Sequence, residues 1–171
     1  MTLSSLSPLR LLSALLLLVC LLLTEAPSAA AQTLLQDLLP DQTASDLVPG
    51  ADSFGPIRDD LAAAPVLKGD ETVAWAFVTS DFVGTTGYSG KPIHTLVAVD
   101  SDAKIAGVRL VKHSEPIVLI GIPEAKVLAA LNGLIGTDLA PVASGAAKPP
   151  QAEIVSGATV TVLVMGDSIV R

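Results

Sequence analysis

The sequence IHTLVAVDSDAKIAGVRLV, residues 93–111, contains the clearest structural signal in the chain. Two aliphatic runs, Ile93–Val99 and Ile105–Val111, are separated by a short polar connection with two aspartates and a serine. Such a connection between two β-rich runs is typical of a hairpin turn. A calcium-binding loop is the other interpretation, but an EF-hand needs an oxygen ligand and a glycine where Lys104 and Ile105 stand. The stretch therefore predicts an antiparallel β-hairpin.

The flanking segments complete the predicted secondary structure. In residues 71–78 large and small apolar side chains alternate, which predicts a strand beside the hairpin. Gly84–Pro92 holds three glycines and ends in proline, so we expect a loop. Pro123 can open a helix and the Asn132-Gly133 pair can close it. An antiparallel sheet with a few short helices predicts the α+β class.

The segment before these elements has a different pattern. Four leucines between positions 34 and 39 fit a short amphipathic helix that ends at Pro40. Glycines and prolines then interrupt the chain repeatedly. We therefore interpret residues 32–66 as a lead-in segment and residues 67–171 as the domain proper.

Residues 1–31 have the features of a secretory signal peptide. Arg10 is the only basic residue of this segment, the 13 residues Leu11–Leu23 are almost all apolar, and Ala29–Ala31 offer small residues for cleavage. An uncleaved membrane anchor is the alternative, although a spanning helix needs about 20 apolar residues. We expect an exported chain of 140 residues, Gln32–Arg171.

The composition excludes several classes of function. Ten Lys and Arg residues against 17 Asp and Glu residues give a net charge of −7, which argues against nucleic-acid binding. Cys20 is the only cysteine and lies in the predicted signal peptide, so the mature chain has no cysteine for a disulfide or a metal. His94 and His113 are the only histidines, and the P-loop, Gly-x-Gly-x-x-Gly and Gly-x-Ser-x-Gly motifs are absent. We expect no metal site and no catalytic residue.

A short hydroxyl-rich motif near the end of the chain carries the strongest functional signal. On the pattern alone, Ser156 fits a helix N-cap followed by a tight first turn. The sequence Ser-Gly-Ala-Thr, however, resembles the flavinylation motif of FMN-binding domains in RnfG- and NqrC-type subunits. In those proteins a separate, magnesium-dependent ApbE-type transferase uses FAD to esterify the last threonine to the FMN phosphate. The resemblance implies FMN as cofactor, covalent attachment at Thr159, and cofactor-binding roles for Ser156, Gly157 and Ala158.

Further segments extend this resemblance over nearly all of the expected mature chain. They are similar to the N-terminal flavin domain of the NosR/NirI family. Glu153 stands where the flavinylation motif often has aspartate, so the carboxylate is retained on a longer side chain. The segments that carry the likeness are SFGP at 53–56, GYSGKP at 87–92, HSEPIVL at 113–119 and the end of the chain at 156–171, with its GDSI.

The family resemblance also implies a biological role. Proteins of this family are longer, with membrane helices and cytoplasmic iron–sulfur clusters after the exported domain. They support the expression and activity of nitrous oxide reductase in denitrification by passing electrons. We therefore expect an electron-transfer module on the periplasmic side of the inner membrane rather than an enzyme with its own substrate. Its expected partners are an ApbE-type FMN transferase, the nitrous oxide reductase system and the membrane, which it would reach through helices beyond this sequence. We expect the present sequence to be the front part of such a longer protein.

Three residues outside the motif are candidates for the flavin pocket. Tyr88 could cover a face of the flavin ring, while His113 and Glu115 could meet its polar edge or ribityl chain. The alternative is that His113 and Glu115 simply terminate the hairpin. Thr161 is a second candidate acceptor, and the resemblance favours Thr159 over it. The resemblance also favours a helix after Ser156, although the valines that follow have strand propensity.

Two other functions stay open at this point. The chain could be a regulatory or binding module that keeps the fold without carrying flavin. It could instead be a flavin reductase that binds FMN noncovalently, although that activity needs a nicotinamide site, for which the sequence offers no motif.

Overall fold

Five antiparallel strands form one sheet in the computed structural model, which describes residues 32–171. The strands follow each other in the sheet in the same order as in the sequence, so every strand pairs with its neighbour along the chain. This arrangement confirms the predicted α+β class with an antiparallel sheet. The predicted signal peptide, residues 1–31, lies outside the described residues. The strands are β1 Ser53–Phe54, β2 Ala64–Lys68, β3 Glu71–Val78, β4 His94–Val99 and β5 Ile105–Lys112.

The predicted hairpin is the pair β4 and β5. Its register places Val97 opposite Val108, and the two strands are joined by a turn that Asp100 organises. The Asp100 carboxylate accepts hydrogen bonds from the backbone N–H groups of Asp102 and Lys104, both at 2.9 Å. The aspartate therefore satisfies the turn's own backbone, which confirms the interpretation of this segment as a hairpin connection.

Short helices account for most of the remaining secondary structure. The final helix is the longest described helix, with 12 residues, and no helix in residues 32–171 is long and apolar enough to cross a membrane. Two single turns of 3-10 helix occur at Leu39–Asp41 and Thr79–Asp81. The α-helices are α1 Leu34–Leu38, α2 Ala44–Leu47, α3 Pro116–Ile120, α4 Glu124–Asn132, α5 Ala140–Ala143 and α6 Thr159–Val170.

The two faces of the sheet are covered by different parts of the chain. On one face α4 and α6 pack over the hairpin, and their apolar side chains form a core with Val97 and Val108. On the other face α1 and α2 pack against Ala74, Ala76 and Val78, the buried residues of β3 on that face. Covering both faces removes most of the apolar surface of the sheet from water, while Trp75 of β3 stays 37% exposed.

The segment before the domain is tied closely to the sheet. The predicted leucine helix is confirmed as α1, and Thr33 and Gln36 form a capping box at its start. The Asp81 carboxylate also accepts hydrogen bonds from the N–H groups of Leu34 and Leu35, at 2.8 and 2.9 Å. The boundary expected between residues 66 and 67 falls inside β2, and residues 32–171 form one compact unit.

The start of α6 differs from the sequence-based expectation. The helix form is confirmed for residues 159–170, but the N-cap is Ala158 and not Ser156. Ser156 and Gly157 form the turn before the helix, and Ser156 is exposed. The prediction of a serine N-cap was wrong because Gly157 adopts φ +88°, which turns the chain after Ser156 and delays the helix.

A glycine in β5 permits the close approach of α2 to the sheet. A Cβ atom at Gly107 would overlap the carbonyl oxygen of Leu47 at the end of α2. We expect Gly107→Ala to lower the free energy of unfolding by about 2 kcal/mol, because the added methyl group overpacks this contact. Thermal unfolding measures the loss. Gly84→Ala is the matched control, since a Cβ at Gly84 meets no atom within 4 Å, and equal melting temperatures for the two variants would contradict the prediction.

Candidate functional site

The N-terminus of α6 presents unpaired backbone donors. Within the described part of the chain, the N–H groups of Thr159, Val160 and Thr161 have no backbone acceptor, and no side chain caps the helix. The first regular hydrogen bond of the helix runs from the Val162 N–H to the Ala158 carbonyl, at 2.9 Å. The free N–H groups and the helix dipole together make this end attractive to an anion such as a phosphate.

The turn before the helix requires a glycine. Gly157 has φ +88°, and a Cβ atom at this position would lie 2.9 Å from Cδ1 of Ile122. Both the backbone conformation and the lack of space therefore favour glycine here. Ala158 is 2% exposed and belongs to the core cluster that covers one face of the sheet. The Gly-Ala pair of the motif therefore permits a tight turn of the backbone immediately before α6.

A cavity of about 390 Å³ opens at this helix end. Such a volume is within the range of pockets for small molecules, roughly 300–1,000 Å³. Tyr88 borders it from the loop between β3 and β4, and its side chain is 75% exposed. Thr159 lies on the cavity wall and is partly accessible. The lining is completed by Ile117 and by the residues Gly157, Ala158, Val160 and Thr161.

Glu115 bonds to two residues of the cavity wall, Tyr88 and Thr161, and links three segments. It is only 1% exposed, and its carboxylate accepts hydrogen bonds from the N–H groups of Tyr88 at 3.2 Å and Ser89 at 3.1 Å. The Thr161 hydroxyl donates to the same carboxylate at 2.6 Å. A buried carboxylate is tolerated because all its partners are donors. Glu115 therefore joins the Tyr88 loop, the end of the hairpin and the first turn of α6.

The environment of Glu115 favours its ionised form. Burial acts to raise the pKa of this carboxyl, but hydrogen bonds from Thr161, Ser89 and Tyr88 outweigh burial and lower the pKa below its usual 4.5. Glu115 was expected at the flavin's polar edge or ribityl chain. Its oxygens instead contact protein donors, so the geometry favours a role in holding the site together.

The two histidines lie in different surroundings. His113 follows β5, its Nδ1 accepts a hydrogen bond from the Glu115 N–H at 3.2 Å, and its Nε2 is 3.9 Å from a Glu124 oxygen. His113 does not line the cavity at Thr159. His94 Nδ1 is 2.9 Å from the Ser80 hydroxyl oxygen. Burial, and to a smaller extent the positive charge of Lys112, lowers the pKa of His94.

The structure brings together most, but not all, of the predicted site residues. Tyr88, Gly157, Ala158 and Thr159 line one cavity, and Glu115 bonds to Tyr88 in its wall. Ser156 is not part of the lining. Ile117 and Val160 were not anticipated as lining residues. The place of Val160 in the lining could have been inferred, because it follows Thr159 in the first turn of the helix that the motif begins. Ile117 is far away in the sequence, and no local pattern indicated it.

A larger groove of about 890 Å³ lies at the other end of α6. Its walls are mainly apolar and include Trp75, Phe77 and Phe82. Arg58, which also lines it, is paired with Asp60 and lies over the Trp75 ring at 5.4 Å. None of the predicted site residues lines this groove, and the N-terminus of α6 with its three free N–H groups lies at the smaller cavity. The chemistry therefore favours the cavity at Thr159.

Comparison with known proteins identifies the domain that contains this cavity. A sequence profile of the family described as FMN-binding domain matches residues 87–169, from the Tyr88 loop to the end of α6. Protein NirI of Paracoccus denitrificans is 37% identical over 98% of the chain, and Regulatory protein NosR of Pseudomonas aeruginosa is 37% identical over 74%. The chain contains an FMN-binding domain of the NosR/NirI family. It spans 24% of the length of the NirI relative and 18% of the NosR relative.

The family assignment gives the domain a cofactor, FMN, against which this cavity can be compared. Binding FMN requires a place for its phosphate and an apolar surface for its ring. The free N–H groups at the start of α6 fit the phosphate, and Tyr88 and Ile117 provide the apolar part of the wall. The residues of this FMN-binding domain therefore fit the cofactor that the family binds.

The FMN-binding domain should lose stability in acid through Glu115. Because its pKa is lower in the folded chain, its contribution is present above the unfolded value of 4.5 and disappears as the pH falls through the folded value. We expect Glu115→Gln to lower the free energy of unfolding by about 2–3 kcal/mol at neutral pH. As the pH falls below 4.5 the difference from wild type should shrink. Urea unfolding at neutral pH and at a series of lower pH values tests this, and a difference that does not depend on pH would contradict it.

Proposed function

We propose that this domain carries FMN bound covalently through a phosphoester to Thr159. The observation that supports the proposal best is the location of Thr159 as the first residue of α6, on the cavity wall beside three free N–H groups. A phosphate attached to this side chain is at the end of the helix where the dipole favours negative charge. The match to the FMN-binding domain family includes this residue.

The contrast between the two threonines of the motif supports the same choice. Thr161 is 2% exposed and its hydroxyl donates to Glu115 at 2.6 Å, so its oxygen is engaged inside the protein. The Thr159 hydroxyl has only a long contact of 3.5 Å to the Val155 carbonyl. A transferase needs an accessible hydroxyl, and Thr159 is the more exposed of the two residues and lies on the cavity wall.

The attachment step exchanges one phosphate linkage for another. The Thr159 oxygen attacks the phosphorus of the FMN half of FAD, the pyrophosphate bond breaks, and AMP leaves. The hydroxyl proton is lost, and the chain gains FMN less one water. An ApbE-type transferase with magnesium is the proposed catalyst, so the domain itself supplies only the acceptor and the binding surface.

We further propose that the domain works as an electron relay outside the cytoplasm. Bound FMN supplies one- and two-electron redox chemistry. The chain's own groups hold the phosphate at α6, border the ring with Tyr88, and keep the cavity wall apolar through Ile117. In this proposal the domain lies on the periplasmic side of the inner membrane and supports the nitrous oxide reductase system, as the NosR and NirI likeness suggests. Covalent attachment keeps the cofactor where free FMN is not readily replaced.

Mass spectrometry of paired threonine variants tests the attachment. The full chain is exported together with an active ApbE-type transferase, and its intact mass is measured. We expect the wild type and Thr161→Val to gain one FMN less one water. Thr159→Val, which removes only the acceptor hydroxyl, should gain nothing.

Three results would contradict the proposed attachment. A mass gain that persists in Thr159→Val would move the attachment elsewhere. A wild-type chain without flavin, made beside a transferase proven active on another substrate, would favour a regulatory or binding module of the same fold. Release of free FMN on denaturation would indicate noncovalent binding instead.

A further inference from the structure

We propose that Glu115 is a positioning residue that holds Tyr88 at the cofactor cavity opposite Thr159. This inference rests on the proposed function, because it concerns how the same cavity is kept in shape. Glu115 binds the backbone of the Tyr88 loop with one set of hydrogen bonds and α6 with another. The two sides of the cavity are therefore joined through a single buried carboxylate.

The hydrogen-bond pattern requires an ionised acid. Three donors converge on two oxygens: the Tyr88 N–H and the Thr161 hydroxyl on Oε2, and the Ser89 N–H on Oε1. A glutamine side chain has one acceptor oxygen and one NH₂ group. Its NH₂ group would therefore face at least one of these donors and leave that donor without an acceptor. The isosteric Glu115→Gln change therefore breaks the link on one side without changing the packing volume.

The Tyr88 loop is shaped to fit this carboxylate. A Cβ atom at Gly87 would overlap the Glu115 Oε1 atom, so only glycine allows the loop to close over it. Among the described residues, the other backbone hydrogen bonds at this point lie within the loop: the Gly87 N–H donates to the Lys91 carbonyl at 2.9 Å and the Gly90 N–H to the Gly87 carbonyl at 3.1 Å. These local bonds keep the shape of the loop but do not attach it to α6. Attachment depends on Glu115.

The exposure of Tyr88 makes this attachment necessary. Its side chain is 75% exposed, so little packing holds the ring in place. An exposed side chain on a glycine-rich loop moves freely unless its backbone is fixed. Two hydrogen bonds from adjacent N–H groups to one buried charge fix the backbone at Tyr88 itself.

Amide hydrogen exchange of the 171-residue chain without flavin tests the link directly. In Glu115→Gln we expect the Tyr88 and Ser89 amides to exchange roughly ten- to a hundredfold faster, because charge-assisted hydrogen bonds are lost. The Val97 amide in β4 lies in the core and reports global unfolding, so it should accelerate only as far as the loss of overall stability requires, as it should also in Gly107→Ala. Gly87→Ala, which leaves every hydrogen-bonding group in place but displaces the loop from Glu115, should produce the same local effect.

Matched controls separate this effect from general destabilisation. Glu71→Gln removes an exposed carboxylate from β3, and Gly84→Ala adds a methyl group in open space. Both should leave the Tyr88 and Ser89 amides unchanged. Gly107→Ala loses similar stability away from the loop and should leave these two amides slower than Glu115→Gln does. Unchanged Tyr88 and Ser89 exchange in Glu115→Gln, or an equal acceleration of the same amides in Gly107→Ala, would overturn the proposal.

A flavin measurement completes the test. In chains loaded by the transferase, iodide should quench the flavin fluorescence of Glu115→Gln more strongly than that of wild type and Glu71→Gln, since the Tyr88 side of the cavity is released. Equal quenching would overturn the link to the cofactor. If the wild type takes up no flavin, the proposed function fails, while the exchange rates of the flavin-free chain still decide whether Glu115 holds Tyr88.

Discussion

Burial of the sheet on both faces is the constraint on which the rest of this structure depends. A single antiparallel sheet needs cover for whichever face is apolar, and here both faces are apolar along β3 and β4. The chain before the sheet covers one face with α1 and α2, and the chain after it covers the other with α4 and α6. Because α6 must pack with its apolar side on the hairpin, its first turn is fixed relative to the sheet. The position of Thr159 follows from this packing.

The site adds a polar link to this apolar framework. The Tyr88 loop leaves the sheet after β3 and returns at β4, and little apolar surface holds it. Glu115, at the end of the hairpin, supplies the missing connection with a buried charge. A buried carboxylate with three donors is specific in a way that apolar contacts are not, since each donor fixes a distance and a direction. The cavity therefore combines a rigid wall from α6 with a wall that is held by hydrogen bonds.

Much of the fold could be predicted from local pattern, and the exceptions have physical causes. The alternation in β3 and the polar turn at Asp100 were sufficient for the central strands. The pairing of β1 and β2 was missed because β1 has two residues and β2 contains Pro65, which lacks an N–H and is rare in strands. Thr159 and Tyr88, which the family resemblance and the glycine-rich loop indicated as candidates, both line the cavity. The N-cap at Ala158 and the contribution of Ile117 depend on a backbone angle and on tertiary packing, which no local pattern contains.

Helix α6 also separates two intrinsic fluorophores of the chain, one tyrosine and one tryptophan. Tyr88, the only tyrosine, borders the cavity at the start of the helix, and Trp75, the only tryptophan, lines the groove at its end. A 12-residue helix is about 18 Å long at 1.5 Å per residue. The fluorescence of these two side chains therefore reports on opposite ends of α6. A chromophore bound near Tyr88 would quench the fluorescence of Trp75 by resonance energy transfer over about the length of the helix.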